Sequence, residues 1–392
     1  MRCGGRKSSG TKSMEIAEKR FQAVDESSST VEIVDSLLRY ASEMGASDVH
    51  IDPSEDGVEV RVRYDGTLMP VTVLPSELSS TLVGRFKALA DLMAYKKDIP
   101  QEGSIHALES GLPATVRVST YPTMFGERVA LRFDTAQGRH RSLDALGLGP
   151  AVRTALTRAF DQPQGVILMC GPSGSGKTTT LYSCLQHVVN QPVMRTVFTI
   201  EDPIERRVRG ATQTQINPNS GLTFARALRS MLRQDPDVIL VGEIRDIDTA
   251  RVVMEAGLTG HLVASTVHAG SSVQVFPRLL EMGVEPFVLT TALCGVSSQR
   301  LLRRKCTEPD CGKPHVICLR CKGQGYSGNV VVSEWLPMTA GLRDAILCHG
   351  DRQLLTEVAK AEGLVTMLDE ARQMVANGIT TDEEVERVLG SL

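Results

Sequence analysis

The sequence predicts an α/β protein: a domain built on a parallel sheet, preceded by a small α+β domain and followed by a short helical region. Three observations carry this prediction. A glycine-rich loop, Gly171-Pro172-Ser173-Gly174-Ser175-Gly176-Lys177-Thr178, lies between an apolar run and a stretch apolar at helical spacing. Beyond it, short apolar runs alternate with helical patterns, as strands joined by crossover helices do. Before the loop, Val58-Glu-Val-Arg-Val-Arg-Tyr64 alternates strictly, as a half-buried strand of an antiparallel sheet does.

A length of 392 residues suggests two or three domains. Hydrophobic content of 42% and charged content of 23% are ordinary for a globular protein. The formal net charge of -3 provides no global basic field, so nucleic acid is not an expected partner. No apolar run is long enough to predict a membrane-crossing helix, and the basic, Ser/Gly-rich residues 1–12 lack the apolar core of a secretory signal. The expectation is therefore a cytosolic protein. Of nine cysteines, Cys306, Cys311, Cys318 and Cys321 cluster, and in such a protein a cluster reads as metal before disulfide.

In chain order, residues 1–30 read as a flexible tail. A first domain spans 31–135. It opens with a helical face of Val31, Ile33, Val34, Leu37, Leu38 and Ala41. An extended stretch (46–52), a hairpin around Asp65-Gly66, a helix over 82–93 and strands near 114–119 and 128–133 follow. Arg117, Arg128 and Arg132 alternate with apolar residues there. A solvated sheet face and contacts to nucleotide across a domain interface both remain open for them. Polar residues 136–142 read as a linker. The larger domain spans 143–338, with strands at 165–170, 196–200, 238–241 and 262–266 and a cysteine loop at 304–328. Residues 339–392 read as short helices separated by Gly350, Gly363 and Gly378.

The chemistry concentrates at the strand ends. The glycine loop fits G-x-x-x-x-G-K-[ST] and sits between strand and helix, the setting of a phosphate-binding loop. Its glycines let backbone N–H groups turn inward around phosphate oxygens, and the helix N-terminus adds partial positive charge. Lys177 is placed to reach β- and γ-phosphates and Thr178 to hold Mg²⁺, with Thr179 next to them. Each later strand ends in polar groups, and open parallel sheets gather their chemistry at that end. Glu243, after Val238-Ile-Leu-Val-Gly242, is placed to polarise a Mg²⁺–water shell. Glu201 and Glu205 form a second acidic cluster at a strand end, able to orient or deprotonate a water; spacing leaves open which one acts. His268 follows the strand at 262–266 and can sense a γ-phosphate. Arg226, Arg229 and Arg233 stripe one helix, either as a solvated face or as cations for a phosphate in cis or in a neighbouring subunit. Cys306-x₄-Cys311-x₆-Cys318-x₂-Cys321 has the donor set of a closed structural Zn²⁺ site, with His315 as a substitute ligand.

Taken together these motifs resemble the secretion-type ATPases of type II secretion and type IV pilus assembly, over nearly all of residues 31–392. Thr199-Ile-Glu-Asp-Pro-Ile-Glu205 is similar to that family's aspartate box, residues 228–246 to its Walker B region, and residues 260–268 to its histidine box. Residues 46–53, 100–103, 117–123 and 126–132 resemble landmarks of its N-terminal domain. The resemblance implies a PAS-like first domain and a RecA-like phosphate-loop NTPase domain. It further implies ATP, Mg²⁺ and Zn²⁺ as cofactors, a cytoplasmic homohexamer and an inner-membrane platform protein as partner. By the same resemblance Glu243 is the Walker B glutamate, Glu205 the base, and Arg117 and Arg132 face bound nucleotide. The chain departs from the family at Ala269-Gly270, where a threonine–asparagine pair is usual, and in its abbreviated cysteine loop. The four cysteines favour the secretion or pilus-extension branch over retraction motors. An alternative reading, a DNA-stimulated motor contacting DNA through Arg303, Arg304, Lys305 and Lys313, conflicts with the net charge.

Overall fold

The computed structural model describes residues 29–64, 66–105, 115–133, 142–217, 220–309, 311–312, 318, 321 and 323–390. The expected tail up to residue 28, the linker at 136–141, and Asp65, Lys313 and His315 lie outside them. The chain divides into two compact units, Met1–Arg139 and His140–Leu392.

In the first unit, α1 (Thr30–Met44) precedes β1 (Asp48–Ser54), β2 (Gly57–Tyr64) and β3 (Thr67–Leu74). Then come α2 (Ser79–Leu89), β4 (Gln101–Ile105), β5 (Val116–Thr123) and β6 (Gly126–Phe133). Ser29 accepts from the Glu32 N–H and Glu32 accepts from the Ser29 N–H, a capping box that draws Ser29 and Thr30 out of the expected tail into the helix start. Helix α2 stops before the expected residue 93 because Asp91 takes φ +55, which a right-handed helix cannot continue. The six strands pair in the order β3-β2-β1-β6-β5-β4, antiparallel throughout. Leu37 and Leu38 of α1 and Leu82 and Phe86 of α2 bury against Val49, Ile51, Val60, Val118 and Leu131 of the sheet. On the strands' other side, Asp48 stands opposite both Arg63 and Arg132, and Arg128 pairs with Asp52 at 2.8 Å. Arg128 and Arg132 thus have acidic partners in Asp52 and Asp48, whereas Arg117 stands opposite Ser104 and Arg132.

The second unit runs α3 (Pro150–Phe160), β7 (Gly165–Cys170), α4 (Lys177–Val189), β8 (Val197–Glu201), β9 (Ala211–Gln215) and α5 (Phe224–Met231). It continues with β10 (Val238–Val241), α6 (Ile247–Leu258), β11 (Leu262–Val267), α7 (Val275–Glu281) and α8 (Pro286–Ala292). A long hairpin, β12 (Leu293–Lys305) and β13 (Tyr326–Pro337), leads into α9 (Ala340–Leu347), α10 (Arg352–Ala361), α11 (Met367–Ala376) and α12 (Asp382–Leu389). The seven strands order β13-β12-β7-β11-β10-β8-β9, parallel except for the β12–β13 pair. Central strands are buried on both faces. Leu168, Ile239, Val241 and Val263 join one apolar cluster, while Ile167, Met169, Leu240 and Ala264 join the other. This is the parallel sheet that the alternating runs predict. The hairpin is new: β12 and β13 bury Ser297, Ser298, Gln299, Ser333 and Glu334, and so carry no simple apolar signal.

Candidate functional site

The glycine loop leaves β7 at its carboxyl end and closes into α4. Gly171, Gly174 and Gly176 have φ of +146°, +75° and +89°. A Cβ on Gly171 would lie 2.6 Å from the Gln299 carbonyl, and one on Gly176 would lie 2.7 Å from Gln299 Nε2, so these two glycines are required by packing as well as conformation. Gly176 caps α4 without a side-chain hydrogen bond, so the first N–H groups of a thirteen-residue helix are left for another acceptor. Lys177 Nζ bends back to donate to the carbonyls of Gly171 (2.7 Å) and Pro172 (2.9 Å). Burial lowers its pKa, and the Arg300 guanidinium adds to this, against a pull from Glu243 and Glu205. Ser175 Oγ is buried with no hydrogen-bond partner among the described residues. A helix end with free donors, an ammonium bonded to two carbonyls and an orphaned hydroxyl fit a phosphate chain. Pro172, Ser173 and Thr179 lie exposed around this loop, with Thr178 half-buried.

Glu243 follows β10 and is 14% exposed. It pairs with Arg245, and His268 Nε2 lies 3.5 Å from its other oxygen. The end of β11 fixes this loop: Thr266 donates to the Gly242 carbonyl (2.8 Å) and accepts from the Ile244 N–H through its own carbonyl (2.9 Å). Glu243 and His268 are thereby brought together, while Glu243 and Glu205 are near enough to Lys177 to act on its charge.

Glu201 and Glu205 have different surroundings. Glu201, at the end of β8, is buried and accepts from the Tyr182 hydroxyl, Thr199 Oγ1 (2.6 Å) and Gln213 Nε2 (3.1 Å). Burial and that bond push the Tyr182 phenol up. A carboxylate already serving three donors suits positioning better than proton transfer. Glu205 is exposed on the following loop, which β9 holds: Gln213 accepts from the Val208 N–H (2.7 Å) and donates to the Arg206 carbonyl (2.9 Å).

Arg229, with Arg226, lies on the exposed face of α5, opposite buried Ala225, Leu228 and Met231, and Arg233 is exposed just past its end. Arg117 and Arg132 stand directly opposite each other on β5 and β6 of the first unit, and Arg132 Nε is 3.2 Å from Asp48.

At the tip of the β12–β13 hairpin, the sulfurs of Cys306, Cys311, Cys318 and Cys321 all lie within 4.8 Å of one another, the Cys306–Cys318 pair at 3.7 Å and the Cys311–Cys321 pair at 3.4 Å. A tetrahedron of thiolates about 2.3 Å from a zinc ion has edges of about 3.8 Å, so this group fits a metal. Burial of Cys321 is outweighed by the N–H groups of Gly325 and Gly323 and by its neighbouring thiols, which bring it down to about 7. The base of the cysteine loop is pinned by Glu384 of α12, bonded to Arg303 Nη2 (2.7 Å) and Arg387 Nη2 (2.6 Å), while Arg303 also stacks on Tyr326 at 4.3 Å. Arg303 is thus committed to this contact rather than offered to a nucleic acid.

Gln299 and Arg300 of β12 were not indicated by any motif. Gln299 Nε2 donates to the Ser175 carbonyl (2.8 Å), and its Oε1 accepts from Thr180 Oγ1 (2.9 Å), so it holds the glycine loop to α4. The only sequence signal is a polar Ser-Ser-Gln-Arg stretch between apolar neighbours.

A glycine loop closing onto a helix, at the carboxyl ends of parallel strands with acidic groups beside it, defines a phosphate-loop nucleotide-binding protein. Residues 23–387 match the family described as Type II/IV secretion system protein, and the chain belongs to that family. It is 41% identical over 362 residues to the type II secretion system protein HxcR of Pseudomonas aeruginosa, covering 91% of this chain and 77% of that one. It is 38% identical to the type II secretion system ATPase E of Vibrio cholerae (91% and 75%). It is also 38% identical to the type IV pilus assembly ATPase PilB of Thermus thermophilus, of which it spans 43%, with 92% of this chain covered. Among solved structures, the pilus retraction motor PilT with bound ADP has a TM-score of 0.62 at 26% identity (90% and 96% covered). The fold is shared with the ATPase DotB of Legionella pneumophila, with a TM-score of 0.69 at 21% identity (93% and 97%). No helix among the described residues is long and apolar enough to cross a membrane.

Proposed function

We propose that this protein is an ATP-hydrolysing motor of a type II secretion or type IV pilus machine, working as a homohexamer on the cytoplasmic side of an inner-membrane platform protein. The observation that carries the reading is the convergence of the uncapped α4 end, Lys177 and orphaned Ser175 with Glu243 and His268 at one end of the parallel sheet. The relatives named as secretion and pilus ATPases supply the machine.

In this reading the N–H groups of residues 171–179 and the Lys177 ammonium bind the phosphates. On binding, Lys177 exchanges its two carbonyl partners for phosphate oxygens. Thr178 and Glu243 would hold Mg²⁺, which neutralises charge on the transferring phosphoryl group when bound. His268 orients Glu243, and Glu205 takes the proton of the attacking water. Glu201 positions Tyr182 of α4 and Gln213 of β9, and so carries Glu205's loop. Arg229 of α5, and Arg117 and Arg132 of the first unit, would meet nucleotide from a neighbouring subunit. Cys306, Cys311, Cys318 and Cys321 would hold Zn²⁺ as a closed structural site. The test is ATP turnover by the purified chain and by Glu243→Gln. Turnover by the wild type, lost in the variant, supports the reading, and a wild type that does not hydrolyse ATP overturns it.

A further inference from the structure

We propose that Arg300 is a positioning residue that couples the phosphate loop to the loop carrying His268 and gives the site its preference for ATP over ADP; this rests on the ATP-binding reading above. Arg300 Nη1 donates to the Gln299 carbonyl (2.9 Å) and Nη2 to the Gly270 carbonyl (2.6 Å). The Gln299 carbonyl lies 2.6 Å from where a Gly171 Cβ would be, and Nη1 itself lies 3.0 Å from that point. One guanidinium therefore abuts the first residue of the phosphate loop and grips the residue two places after His268.

Its partners are carbonyls, and no carboxylate pairs with it among the described residues. Glu334 on the adjacent strand β13 acts on it only from a distance. That carboxylate is taken by Ser272 Oγ (2.5 Å), the Ser272 N–H (3.1 Å) and the Met367 N–H (3.1 Å). The loop at 268–274 is therefore clamped twice, by Arg300 at Gly270 and by Glu334 at Ser272. A half-buried cation without a counter-charge is costly unless an anion completes it. The terminal phosphate of a nucleoside triphosphate is the anion this site would bring. Neither Ala269 nor Gly270 has a side chain that can bond a phosphate, so beyond His268 this stretch is tied to the phosphate loop through the bond from Arg300 to the Gly270 carbonyl.

Gln299 and Arg300 divide the work. Gln299 braces the phosphate loop alone and so serves ATP and ADP equally. Arg300 joins that loop to the one carrying His268, which only a third phosphate brings into play.

The test measures Kd for AMPPNP and for ADP, with Mg²⁺, on full-length wild type, Arg300→Ala and Arg300→Lys, with thermal melting as the folding check. Arg300→Ala is expected to weaken AMPPNP roughly tenfold, the usual effect of losing charged hydrogen bonds, while ADP stays within about twofold. Equal weakening of both nucleotides, or of neither, overturns the inference and leaves the ATP-binding reading standing. A wild type that binds neither nucleotide overturns both. If Arg300→Ala fails to fold, Arg300→Lys decides: a lysine keeps the charge but cannot fork to two carbonyls, so selective loss of AMPPNP supports the coupling and parallel loss refutes it.

Discussion

Replacing Glu384 with Gln tests how the C-terminal helix α12 is held to the hairpin that carries the cysteines. The carboxylate is fully buried. It accepts from the Arg303 N–H and Nε at 2.9 Å each, and from Arg387 Nε at 2.7 Å. Burial opposes its ionisation, yet the bonds from Arg387 and Arg303 win and hold it at about 2 against an ordinary 4.5. At about 1.4 kcal/mol per pH unit, that corresponds to about 3 kcal/mol. Arg387 is half exposed, so solvent screens part of it and about 2 kcal/mol is a fair figure. Because the folded pKa is the lower one, this stability is fully present above about 4.5 and is lost as pH falls toward 2. The assay is hydrogen exchange of α12 amides. Glu384→Gln should speed exchange roughly thirtyfold at pH 7, with the wild type approaching the variant as pH drops toward 2. Exchange unchanged at pH 7, or a wild-type advantage that persists undiminished at pH 2, would refute the reasoning.

Other outcomes follow from the same contacts. Glu201→Ala should lower both the melting temperature and turnover, because it strands Tyr182, Thr199 and Gln213, at a cost of about 2–4 kcal/mol. Glu205→Gln should leave melting unchanged while turnover falls about a hundredfold or more, as loss of a base does; the reverse pattern would exchange the two roles. Cys318→Ser should remove bound zinc measured by elemental analysis and lower the melting temperature, whereas unchanged zinc content would contradict the four-thiolate site.

What could be read from the sequence follows from burial pattern. Strands β7 and β10 are continuous apolar runs, and β11 is buried throughout and apolar but for Ser265 and Thr266, because crossover helices cover both faces, and each leads into the group that matters: Gly171, Glu243, His268. Helices α11 and α12 are among the short helices expected after residue 339, and Thr366 and Thr381 cap them. The β12–β13 hairpin was not legible. Its buried positions include Gln299 and Glu334, whose polarity is satisfied by residues distant in sequence, Ser175, Thr180, Ser272 and Met367. No local pattern can reveal such partners. Strand β9, Ala211-Thr-Gln-Thr-Gln215, was missed for a related reason: it is a polar edge strand whose glutamines serve the Glu205 loop rather than the core. The separate fates of Glu201 and Glu205 also needed the structure, since four residues of sequence place one carboxylate in a buried contact with Tyr182 and the other on an exposed loop.

The most direct measurement is the steady-state ATP turnover of the wild type and of Glu243→Gln, each sized in the presence of ATP and Mg²⁺. The account predicts that both run as hexamers, that the wild type hydrolyses ATP, and that the variant loses at least about a hundredfold in rate, because its amide cannot polarise the water shell beside the phosphate loop. Turnover unaltered by Glu243→Gln in an intact hexamer would contradict the role of the Glu243–His268 pair.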